Sequence, residues 1–128
     1  MITKNANAMV ILNKYPYNSA HCLVLPTRHI GELEKLSKPE AAALHEMVRS
    51  TVVVLKKVYQ PQGINIGLNL GKAAGAGLPE HIHYHIIPRW AGDLNFFPLV
   101  AESKVVAEDL IDSLKRLREG FGMQKKRR

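Results

Sequence analysis

A single cysteine, Cys22, in 128 residues leaves no partner for an intrachain disulfide and no thiolate cluster for a structural metal. It sits in the apolar run His21-Cys22-Leu23-Val24-Leu25, where a buried, inert thiol is expected. No hydrophobic run approaches the ~20 residues needed to span a bilayer. The segment Met1-Ile2-Thr3-Lys4-Asn5 carries no signal-peptide apolar stretch. No membrane partner is expected, and the cytoplasm is the expected compartment. Internal repeats and low-complexity linkers are also missing, so residues 1–120 read as one domain long enough to close its own core. A composition of 46 % hydrophobic and 23 % charged residues suits a soluble globular protein.

Acidic residues are the scarcer charge, 11 against 18 Lys and Arg, which leaves a net +7. Four of those seven charges are the final Lys125-Lys126-Arg127-Arg128, which follow Gly120-Phe121-Gly122. Residues 121–128 are therefore expected to form a basic, disordered, solvated tail, and no specific nucleic-acid partner is inferred from it. The modest remaining basic excess suits a polyphosphate ligand.

What is present alternates. Ala8-Met9-Val10-Ile11-Leu12 and His21-Cys22-Leu23-Val24-Leu25 are β-favouring runs separated by the turn-forming Tyr15-Pro16-Tyr17-Asn18-Ser19, which predicts an antiparallel pair. Ser37-Lys38-Pro39-Glu40 has capping-box spacing. Leu44, Met47, Val48, Thr51, Leu55 and Val58 then recur every three or four residues, predicting one long helix to about Tyr59, ended by Pro61 and Gly63. His45 falls off that stripe and is expected to be exposed. From Gly63 to Leu70 the period returns to two: Ile64, Ile66, Leu68 and Leu70 share one face, with Asn65, Gly67 and Asn69 on the other. Val106, Leu110, Leu114 and Leu117 mark a C-terminal helix. The expected fold class is α+β, a mostly antiparallel sheet with one long central helix and a C-terminal helix.

Half of the six histidines fall within five residues, in Glu80-His81-Ile82-His83-Tyr84-His85-Ile86-Ile87. A strand would place His81, His83 and His85 on one face and turn Ile82, Tyr84 and Ile86 into a core. Imidazole exchanges protons near neutral pH and can act as a nucleophile. Three readings follow: decoration of an exposed face, a metal site, or metal-free catalysis. Zinc ligands sit ~2.0–2.1 Å from their ion, whereas residues four apart on a strand are separated by roughly 13 Å. All three rings would converge poorly on one ion. Metal-free catalysis is the favoured reading, with no cofactor. The glycine- and alanine-rich stretch Gly71 to Gly77 lets backbone N–H groups approach a ligand closely, or simply connects two strands.

The run His81 to Ile87 resembles the signature of the histidine triad (HIT) family, His-φ-His-φ-His-φ-φ with φ apolar, at every position. Asn13-Lys14-Tyr15-Pro16-Tyr17-Asn18-Ser19-Ala20-His21, Pro26-Thr27-Arg28-His29-Ile30, Asn69-Leu70-Gly71 and Ala74-Gly75-Ala76-Gly77 resemble further family segments. Pro88-Arg89-Trp90-Ala91-Gly92-Asp93-Leu94-Asn95-Phe96 is similar to a bacterial branch containing diadenosine tetraphosphate phosphorylases. The likeness runs from about residue 8 to about residue 118.

This resemblance implies a HIT-like fold, a homodimer, and a nucleotide substrate. It implies that His83 is the nucleophile, that His85 contacts the scissile phosphate, and that His81 supports the site through its backbone carbonyl. His21 resembles a fourth site histidine, Asn13 a ribose ligand, and Asn69 and Gly77 loop positions near the phosphates. At Gly77 only backbone is available where many relatives carry Gln or Ser. The chain begins shortly before the strand near Ala8, so a base pocket is expected to be missing or rebuilt from Met9, Ile11 and Leu12. His29 is expected to be structural, and Trp90 and Phe96 either line the product side or pack. The expected activity is cleavage of nucleoside or dinucleoside polyphosphates through a covalent nucleotidyl-histidine, with water or phosphate as acceptor. The alternatives are a nucleoside phosphoramidase of the same family and a nucleotide-binding interaction module.

Overall fold

The computed structural model describes residues 1–13, 20–91 and 109–126. Lys14 to Ser19, Phe96 and Val106 fall outside these residues. Among the described residues five strands form one antiparallel sheet: β1 (Thr3–Lys4), β2 (Ala8–Leu12), β3 (Cys22–Pro26), β4 (Gly63–Leu68) and β5 (Tyr84–Arg89). Their spatial order is β1-β2-β3-β5-β4, so β5 inserts between β3 and β4. Together with two long helices this is the α+β arrangement expected, with β1 as an addition. A two-residue strand is too short for period-two alternation to register.

The long helix α1 (Lys38–Tyr59) starts as the capping box dictates. Ser37 Oγ accepts from the Glu40 backbone N–H at 3.2 Å, and Glu40 Oε1 accepts from the Ser37 N–H at 2.8 Å. Each half satisfies an amide that the first helical turn would leave orphaned. Arg28 closes the cap from outside, its Nε and Nη2 both 2.8 Å from the Glu40 carboxylate. At the other end Gln60 adopts a left-handed conformation, φ 50°, immediately before Pro61. His45 is exposed, as its place off the stripe requires.

One face of the sheet carries the core. Val10, Cys22, Val24 and Ile86 meet Leu44, Val48 and Leu55 of α1 and Leu117 of α2 (Leu110–Lys126). Each fully buried aliphatic side chain here contributes roughly 1.5–3 kcal/mol. Burial pushes the Cys22 thiol up to about 12, so it remains protonated and inert.

The C-terminal segment departs from expectation. Residues 121–126 were expected in a disordered tail, but α2 runs unbroken to Lys126 and Phe121 is buried in the core. Gly120 explains why the run Gly120-Phe121-Gly122 does not stop the helix. A Cβ at Gly120 would lie 2.7 Å from Val54 Cγ1 and 3.0 Å from Val58 Cγ2, so the glycine is where α2 lies against α1. Arg116 adds a tie, donating to the Val58 carbonyl at 2.7 Å with its guanidinium 4.3 Å from the Tyr59 ring centroid.

The opposite face of the sheet is open. Register places Ile11, Leu23, His85 and Gly67 in one row across β2, β3, β5 and β4. Gly67 contributes no side chain, and nothing lies within 4 Å of where its Cβ would be. That row leaves room above His85.

Candidate active site

A cavity of about 780 Å³ lies on this open face, within the range of small-molecule sites. Its lining includes His83, His85, His21 and Asn13, together with Asn65, Asn69 and Gly77. Of the expected base-pocket residues, Ile11 lines the cavity while Leu12 packs toward the core.

The triad does not form one row on a strand. β5 begins at Tyr84, so His81 and His83 precede it. The reason is tertiary. The Ile82 N–H donates to the Ile30 carbonyl at 2.8 Å rather than to a strand ladder. His81 Nε2 donates to the Pro26 carbonyl at 2.8 Å, and the His81 ring lies 5.0 Å from the exposed His29 ring. His81 therefore clamps its loop to the segment after β3 and stays out of the cavity wall. Gly31 permits that clamp: a Cβ there would sit 2.5 Å from the Pro79 carbonyl oxygen. Ile82 and Ile86 are buried as alternation requires, at 3 % and 0 % exposure.

What His81 gives the site is backbone. Its carbonyl oxygen lies 3.0 Å from His83 Nδ1. A carbonyl only accepts, so Nδ1 carries the proton and the lone pair of neutral His83 is on Nε2. His85 packs edge-on against His83 with centroids 5.0 Å apart. His85 Nδ1 is 3.0 Å from His21 Nε2, and His21 Nδ1 is 3.1 Å from Asn13 Nδ2. Asn13, expected at a ribose, thus also touches His21. That bond joins residues eight apart across two strands, and no local pattern signals it.

The model of the HIT domain matches residues 1–92 of this sequence. The chain belongs to the HIT domain family. This HIT domain is 40 % identical over 124 residues to a protein of Mycobacterium tuberculosis named AP-4-A phosphorylase, a match that covers 97 % of this chain and 64 % of that one. It is also 38 % identical over 98 residues to the asymmetrical bis(5'-nucleosyl)-tetraphosphatase of Schizosaccharomyces pombe, covering 77 % of this chain and 52 % of that one. The chain thus spans less than two thirds of either relative. Among solved structures, a Zn-bound histidine triad family protein from Mycobacterium smegmatis has the same fold, with a TM-score of 0.78 at 24 % identity over 99 % of this chain and 86 % of that one.

Electrostatics in this HIT domain disfavour a proton on His21 and His85. Burial, then the neighbouring His85 and His83, lowers the His21 pKa from 6.5 to about 4. His85 is lowered by burial and then by His83. Among the described residues no group of three His, Cys, Asp or Glu side chains is placed to hold a metal ion. No helix among them is long and apolar enough to cross a membrane.

A stability consequence follows. The His21 pKa is lower folded than unfolded, so between pH 6.5 and about 4 the unfolded chain binds more protons. The contribution of neutral His21 is fully present above pH 6.5 and is lost as pH falls toward 4. Urea denaturation at pH 7 and pH 4.5 should show a smaller stability loss for His21→Gln than for wild type. An equal loss in both would rule out His21 as a source of this acid sensitivity.

Proposed function

We propose that this HIT domain is an enzyme that cleaves dinucleoside polyphosphates of the diadenosine tetraphosphate type through a nucleotidyl-histidine intermediate. The observation that carries the reading is the 3.0 Å bond from His83 Nδ1 to the His81 carbonyl. It leaves a lone pair on His83 Nε2, in a side chain that lines the cavity. The names of the two relatives, a phosphorylase and a tetraphosphatase, support the same substrate class.

In this mechanism His83 Nε2 attacks the phosphorus beside one nucleoside. The bond from that phosphorus to the bridging oxygen breaks, and the remaining nucleotide departs with that oxygen. His85 contacts the leaving oxygen and supplies its proton. Backbone N–H groups of the loop at Gly77 and the side chain of Asn69 neutralise phosphoryl charge, the main demand of phosphoryl transfer. His81 acts through its carbonyl, His21 orients His85, and Asn13 reaches the ribose with its amide oxygen. The acceptor then attacks phosphorus and releases His83.

We assign inorganic phosphate as acceptor. The phosphorylase relative supports this. With diadenosine tetraphosphate as substrate, added phosphate should raise turnover and yield ADP with ATP. Release of AMP and ATP at every phosphate concentration would make water the acceptor.

The active form in this reading is a cytoplasmic homodimer. Among the described residues β4 is a sheet edge, and Ile66 within it and Leu70 just after it are 49 % and 46 % exposed. An open apolar edge favours pairing with a second copy.

A further inference from the structure

Two contacts run in series along the lining of the cavity, Asn13 to His21 and His21 to His85, and His85 in turn stands beside Gly67, where no side chain fills the space. We infer that Asn13 is a positioning residue that sets the direction of this hydrogen-bond chain and so places a proton on His85 Nε2. The inference rests on the nucleotidyl-transfer reading above and deepens it.

The argument is one of donors and acceptors. The Asn13 Nδ2 amide group only donates, and its partner 3.1 Å away is His21 Nδ1. That nitrogen must accept, so neutral His21 carries its proton on Nε2. His21 Nε2 then donates across 3.0 Å to His85 Nδ1, which must also accept. Neutral His85 is left with its proton on Nε2, available to a leaving oxygen. His21 is fully buried, so solvent does not rescue a mismatched ring. Among the described residues the titratable groups that act on His21 are His85 and His83, and those lining the cavity include no Lys, Arg, Asp or Glu. The uncharged Asn13 amide is the group that the geometry places at the head of the series. A carboxylate in its place accepts instead of donating. It would put the proton on His21 Nδ1 and either turn the chain around or leave His21 doubly protonated.

The test uses the full chain. Ring nitrogen NMR on 15N-histidine-labelled protein at pH 7, without substrate, should show His21 and His85 as neutral Nε2–H tautomers. In Asn13→Asp the His21 signals should move to the Nδ1–H or doubly protonated pattern. With diadenosine tetraphosphate, Asn13→Asp should lower kcat on the order of 10²-fold, the low end for loss of a positioned general acid. Its KM should stay within about threefold, because a carboxylate still accepts from ribose hydroxyls, and the pH–kcat profile should change shape. Asn13→Gln, which retains a donating amide, should recover part of the loss in kcat. A wild-type His21 in the Nδ1–H tautomer would overturn the inference. So would an Asn13→Asp variant whose effect lies wholly in KM with an unchanged pH profile. The ring signals are read without turnover, so an inactive wild-type protein would count against the enzymatic reading and leave the tautomer assignment to stand or fall on the NMR.

Discussion

His83→Ala should abolish the covalent step and lower kcat with diadenosine tetraphosphate by on the order of 10⁴-fold or more, the scale of losing a nucleophile in covalent catalysis. Wild-type protein quenched with substrate should carry an acid-labile nucleotidyl adduct on the peptide containing His83, and the variant should carry none. His83 has its Nδ1 against the His81 backbone carbonyl, which in the neutral ring puts the lone pair on Nε2, in a side chain that lines the cavity. His85 has its Nδ1 tied to His21 and, in the proposed mechanism, is the proton donor of the same step. The variant should remain folded, because His83 is only half-buried and lies outside the core cluster. It should also still bind nucleotide, since Asn13, Asn69 and the loop at Gly77 are untouched. Far-UV circular dichroism and nucleotide titration check both points. An adduct on His85, or unchanged turnover in His83→Ala, would sink the assignment. A protein whose role is binding alone would keep that role in the variant.

Local chemistry was the part of the fold legible in the sequence. The capping box at Ser37 and Glu40 needs only four residues, and both of its hydrogen bonds form. The stripe from Leu44 to Val58 needs only helical period, and α1 ends at Tyr59 as Pro61 dictates. The cavity was legible in outline, because alternation puts His85 on one side of β5 and Asn65 and Gly67 beside it on β4. Long-range partners were not legible. Period two extends back to His81, yet the strand starts at Tyr84 because Ile30 and Pro26, over fifty residues earlier, take the Ile82 amide and the His81 ring. Nothing near His21 in sequence announces its bond to His85, 64 positions away. The insertion of β5 between β3 and β4 is likewise a property of the closed sheet rather than of any one segment.

The C-terminus gives the same lesson with an energy attached, and Phe121→Ala should destabilise the fold by about 3–5 kcal/mol. Two glycines and a basic run read locally as a chain end released to solvent. In the folded protein Phe121 is 4 % exposed and belongs to the core with Leu117 and Leu55. Truncating it removes a large apolar surface and opens a cavity that a helix anchored at Gly120 cannot close by sliding, since Gly120 already meets Val54. The nearby Met123 is 49 % exposed, so Met123→Ala serves as the surface control and should change stability by no more than about 0.5 kcal/mol. Urea denaturation followed by circular dichroism should show a much lower midpoint for Phe121→Ala than for Met123→Ala. Equal midpoints would mean that the helix ends near Gly120 in solution and that the residues after it are the free tail their composition suggests.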